Sequence, residues 1–152
     1  MGYMTAFQIG ASALSAQRLR LDIISNNIAN AETTKTASGG AYQRQDVEFG
    51  ASQQQTSFGN LMSFNGTMSD QMNSSLTGVK VNKIITDTSP GTRVYDPTHP
   101  DADAKGYVTY PNVNMVVEMT NMLSASRSYE AGLSIVDAAK SMALKAIDIG
   151  SA

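Results

Sequence analysis

The chain has 152 residues, of which 41% are hydrophobic and 16% charged, with a formal net charge of -2 and no cysteine. That length suits one ordinary domain, or a smaller folded part flanked by helices that need partners, and charge well below the roughly 25% of a typical soluble domain favours adhesive over solvated surfaces. The charge balance disfavours nucleic acid and acidic membranes as partners, and the missing cysteines exclude disulfides, thiolate metal sites and thiol nucleophiles.

The opening Met1 to Ala6 has neither the basic region nor the apolar run of a cleaved secretory signal, and Ala6 breaks the myristoylation pattern. No stretch has the length and apolarity of a membrane span. If the protein leaves the cytoplasm, it is expected to do so without a cleaved signal peptide.

A first helix is predicted from Thr5 to Ala29. Thr5 and Gln8 read as a capping box, with Met4 and Ile9 as the hydrophobic staple before it. Phe7, Leu14, Leu21 and Ile28 recur every seven residues, with Ala11 and Ile24 beside them, so one stripe is expected to face a partner helix. Asn26, Asn27 and Asn30 lower helix propensity and tolerate the left-handed conformation, so the helix is expected to decay there.

From Ala31 to Gly78 the chain reads as loop, with one strand expected across Tyr42 to Phe49. The part near 51–78 is rich in Ser, Gln, Asn, Thr and Gly without a sustained period, and reads as a mobile or partner-ordered segment. A hairpin is predicted next: Val79 to Thr86 is one strand, Ser89 to Thr92 supplies a Pro-Gly type II turn, and Arg93 to Tyr95 returns. Asp96 to Asp103 is too rich in proline for helix or central strand and reads as an ordered turn, followed by a short strand over Gly106 to Tyr110.

Pro111, Asn112 and Asn114 open a long second helix, predicted from 112 to about Ile149 with Gly150 ending it. At 1.5 Å per residue it is roughly 57 Å long, more than a small domain can cover. Met115, Met122, Tyr129, Val136 and Ala143 form a seven-spaced line, interleaved with Ala125, Gly132, Ala139 and Ala146, whose small side chains let another helix approach closely. A second line, Val116, Met119, Leu123, Leu133, Leu144 and Ile147, widens the apolar surface beyond what one antiparallel partner needs. Periodicity alone leaves both an intramolecular helical hairpin and packing between subunits open.

The residues that could carry chemistry are few. Asp96, His99, Asp101 and Asp103 crowd oxygen and nitrogen donors together, but match neither a calcium loop nor a helical zinc motif, and turn bonding accounts for them. His99 is the only histidine, no nucleophile elbow surrounds a serine, and no phosphate or dinucleotide loop is present. The expectation is a protein that is not an enzyme, with no cofactor and no metal.

The run from Leu21 to Thr33, with Asn26, Asn27 and Asn30, resembles the N-terminal motif of bacterial flagellar rod and hook proteins. A second set is narrower: Asp96, Pro97, His99, Pro100 and Asp101 in the turn, then Tyr107, Pro111, Asn112, Asn114, Glu118, Tyr129 and Glu130. Together these residues are similar to those of the C-type subunits of the flagellar basal-body rod family, over roughly half the chain. Gly132 departs from the asparagine usual in the family, and Gln43 and Gln45 flank Arg44 where basic residues are common.

The resemblance implies a mainly α fold with a small β part, its terminal helices packed as an antiparallel coiled coil and joined by a loop-rich middle with a short β-hairpin. Residues 1–30 and 112–152 would form the helical assembly domain, with the β-hairpin and mobile segment in 31–111. The implied function is a structural subunit of the proximal rod, built by helical polymerisation, in the basal body across the periplasm. Its implied partners are its own copies, other rod proteins, the basal adaptor between rod and export gate, and the flagellar type III export apparatus. The alternatives are a distal-rod or hook-type axial subunit and, from another class, a soluble helical adaptor.

Overall fold

A computed structural model describes residues 2–37, 39–52 and 78–150. The chain order is helix α1 (Gly2–Ala29), strands β1 (Gln45–Ser52), β2 (Gly78–Thr86), β3 (Arg93–Tyr95) and β4 (Tyr107–Thr109), and helix α2 (Met115–Gly150). The fold is therefore mainly helical with a small β part, as the sequence leads one to expect. The segment expected to be mobile, near 51–78, lies almost wholly outside the described residues.

Both long helices form where the apolar periodicity places them, but their ends follow other rules. α1 begins at Gly2, so Thr5 lies inside the helix and not at its cap. Asn26 and Asn27 also lie inside it, and among the described residues no side-chain-bearing residue has a positive φ, so no left-handed asparagine ends the helix. The end is closed instead by Asn30, whose N–H donates to the Asn26 carbonyl at 3.1 Å and whose side-chain amide donates to the same carbonyl at 2.9 Å. At the start of α2, Asn114 Oδ1 accepts from the N–H groups of Val116 and Val117, at 3.0 and 3.2 Å, as an N-cap does. The helix then starts at Met115, three residues after the expected 112, and includes Gly150.

The strand pairing differs from the sequence expectation. β2 pairs with β1, and β3 pairs antiparallel with β4, so Val79 to Thr86 and Arg93 to Tyr95 do not form a hairpin. The Pro90-Gly91 pair misled because a type II turn needs a positive φ at the glycine, and Gly91 has none. Gly91 serves a different need: a Cβ there would collide with the Tyr110 carbonyl, so only glycine lets the two segments pass. β1 begins at Gln45 and runs to Ser52, shifted along the chain from the expected Tyr42 to Phe49.

The chain divides into two compact units. One comprises 1–17, 49–82 and 128–152, the other 18–48 and 83–127. In the first, the helices touch directly: a Cβ at Gly10 would lie 2.7 Å from Val136 Cγ2, and one at Gly132 would lie 3.0 Å from Leu14 Cδ2. Four residues forward on α1 match four residues back on α2, so these segments run antiparallel. Here too, Ser12 Oγ accepts from the Val79 N–H at 3.1 Å and fastens β2 to α1.

In the second unit, Ile23, Ile24, Val108 and Ala125 are buried. The β3–β4 hairpin pairs Arg93 with Thr109, Val94 with Val108 and Tyr95 with Tyr107. Tyr95 and Tyr107 stack edge to face at 5.2 Å, with the Arg93 guanidinium also 5.2 Å from the Tyr107 ring.

Candidate assembly site and its polar anchor

The seam residues divide by burial. Ile24 is buried; Phe7, Leu14, Leu21, Ile28, Met122, Tyr129, Val136 and Ala143 are half-buried; Met115 is exposed. The small residues Ala125 and Ala139 between them are buried. By contrast, every residue of the second line on α2 is exposed, from Leu133 at 43% to Val116 at 72%. One stripe of α2 is thus covered within the chain and the neighbouring one faces outward.

The second unit holds a polar cluster that sequence reasoning only half found. Asn27 on α1 and Glu118 on α2 are both fully buried. The Asn27 amide donates to Glu118 Oε2 at 3.1 Å and to the Gln45 carbonyl at 2.7 Å. Its Oδ1 accepts from the Tyr42 hydroxyl and the Gln45 N–H, both at 2.9 Å, so two donors and two acceptors are all used. Arg44 Nε donates to Glu118 Oε1 at 2.8 Å, and the Arg44 N–H donates to Asn112 Oδ1 at 3.2 Å.

Burial disfavours the Arg44 charge, but the hydrogen bond and attraction of Glu118, with Asp46 assisting, outweigh it and hold its pKa above the ordinary value. Burial first, and the Glu118 charge second, push the Tyr42 hydroxyl above its usual pKa.

Asn27, Asn112 and Glu118 were named from the family motifs. Tyr42 and Arg44 were not: both fall in the strand expected across Tyr42 to Phe49, and nothing local in the sequence names their partners on α1 and α2.

The turn donors go to the turn itself. Asp96 Oδ1 accepts from the Thr98 N–H at 3.0 Å and the Thr98 hydroxyl at 2.6 Å. Asp103 Oδ1 accepts from the N–H groups of Lys105 and Tyr107, at 2.8 and 3.0 Å, and its Oδ2 from Arg93 at 2.8 Å. His99 Nδ1 accepts from the Asp101 N–H, while Asp101 Oδ2 accepts from the Thr34 hydroxyl at 2.7 Å and ties the turn to the segment after α1. Gly106 closes the turn at a φ of 77°, and Pro111 is buried. Asn26, Pro97, Pro100, Tyr107, Asn114 and Glu130 are exposed.

The family described as Flagella basal body rod protein matches residues 7–35, and that described as Flagellar basal body rod FlgEFG protein C-terminal matches residues 104–149. The chain is 42% identical to the flagellar basal-body rod protein FlgC of Borreliella burgdorferi, covering 98% of each chain. It is 43% identical to FlgC of Bacillus subtilis, covering 97% of this chain and 99% of that one, and 37% identical to FlgC of Escherichia coli O6:H1, covering 99% of each.

Proposed function

The chain belongs to the FlgC family of flagellar basal-body rod proteins, and from that membership we propose that its terminal helices are the surfaces through which it polymerises. It is a structural subunit of the proximal rod in the flagellar basal body, not an enzyme. Among the described residues, no helix is long and apolar enough to cross a membrane.

In this reading, residues 1–30 and 112–152 make up the assembly part, with their seams packed as an antiparallel coiled coil, and 31–111 holds the loops and strands. Neighbouring copies and other rod proteins cover what the chain leaves open. The basal adaptor meets the rod below, and the flagellar type III apparatus exports the chain.

The observation that carries the proposal is the contrast on α2. Ala125 and Ala139 are buried, while Val116, Met119, Leu123, Leu144 and Ile147 are more than half exposed. An apolar line of that length on a low-charge chain marks an interaction surface.

The test places a carboxylate on that outward line. Leu123→Asp or Ile147→Asp removes roughly 1.5 to 3 kcal/mol of apolar burial in the rod and adds the cost of an unpaired charge. Export reads an unfolded chain, so each variant is expected to be made and exported yet absent from isolated basal bodies, leaving cells non-motile. Lys145→Ala, at an exposed position, serves as the mild control. Normal rods from both aspartate variants would refute the reading.

A further inference from the structure

The apolar seam by itself chooses its register weakly. Leu14 lies against Gly132. A slip of one heptad in either direction would set it against Ala125 or Ala139, which are also small. Gly10, now against Val136, would meet Tyr129 or Ala143, both members of the same line. The repeat that makes the helices pair therefore offers several near-equivalent pairings.

The buried polar cluster is not degenerate in this way. Asn27 faces Glu118, and the two slips would bring it opposite Ala125 or Pro111, whose side chains neither donate nor accept. Glu118 would lose Asn27 at the same time. The slip would strand one N–H of the fully buried Asn27 amide and one oxygen of the fully buried Glu118 carboxylate, which costs far more than a methyl difference along the seam.

We infer that Asn27, Glu118 and Arg44 form a register latch, which admits only one pairing of α1 with α2 among those the heptad repeat allows. Arg44 adds a condition from a third segment. It reaches Glu118 at 2.8 Å while its own carbonyl accepts from the Asp87 N–H at 2.8 Å, so the latch closes only when the chain after α1 is also in place. A single buried polar position setting the register of an apolar helix pair is a well-attested use of such groups.

The absence of native cysteine makes disulfide trapping a clean readout. In the full-length chain, L14C/G132C reports the observed register, and L14C/A139C and L14C/A125C report the slipped ones. Without other changes, only L14C/G132C should close within the chain. Adding N27L/E118L, which replaces the polar pair by apolar groups, should raise closure of a slipped pair at least about tenfold.

A second variant moves the acid by one heptad: E118A/A125E should shift closure from L14C/G132C toward L14C/A139C. Continued closure of L14C/G132C alone in both backgrounds overturns the latch. Loss of helical circular dichroism in N27L/E118L also overturns it, because the cluster would then hold the helices together instead of choosing their register.

Discussion

Asn27 and Glu118, 91 residues apart in the chain, meet through a 3.1 Å hydrogen bond with no exposed surface on either side chain. Glu118→Ala should lower the unfolding free energy by about 2 to 3 kcal/mol, because it leaves one N–H of the Asn27 amide without an acceptor and the Arg44 charge without its closest partner. The figure is kept below that of a wholly buried pair because the Arg44 side chain is 22% exposed and can turn toward water. Urea unfolding of the purified chain measures it. A loss under about 0.5 kcal/mol, typical of a surface change, would show that the cluster is bypassed by water.

The two glycines at the helix contact should respond to alanine in opposite ways. Alanine raises helix propensity by about 1 kcal/mol at either site. At Gly10 the new methyl would lie 2.7 Å from Val136 Cγ2, a branch on a stiff side chain, so Gly10→Ala should be net destabilising by about 1 kcal/mol. At Gly132 the nearest atom is 3.0 Å away at the flexible end of Leu14, so Gly132→Ala should be neutral or stabilising. The same urea titrations decide it, and Val136→Ala should relieve Gly10→Ala.

Acid should open the turn at the β3–β4 hairpin only at unusually low pH. The Tyr107 and Lys105 amides hold the Asp103 carboxyl below its ordinary value of 3.8, and the Thr98 hydroxyl and amide do the same for Asp96. A depressed folded-state pKa means that the stabilisation is complete above the unfolded value and is lost as pH falls through the folded one. Amide chemical shifts of Thr98, Lys105 and Tyr107 should therefore titrate with midpoints below 3.8. In Asp103→Asn the acid response at Lys105 and Tyr107 should vanish while Thr98 keeps its own. Midpoints at or above 3.8 would contradict the bonding described.

Helices α1 and α2 were legible because a seven-residue apolar repeat is a local signal that survives any tertiary context. Strand pairing was not. Val79 to Thr86 and Arg93 to Tyr95 are adjacent in sequence, yet each finds its partner elsewhere, and the Pro90-Gly91 pair suggested a turn that the backbone does not make. Asn27 shows the same limit in a helix. Its low propensity pointed to a helix end, but four hydrogen bonds from other segments keep it inside α1. Glu118 and Asn112 were recognisable through family motifs, while Arg44 gained its meaning only once two helices and a strand were brought together.

The outward line of Val116, Met119, Leu123, Leu133, Leu144 and Ile147 also sets the thermodynamic sign of any association made through it. Burial of such surface is driven by entropy near 25 °C and carries a negative heat-capacity change. Subunits joined along this line would hold more loosely in the cold and come apart early in urea or guanidinium.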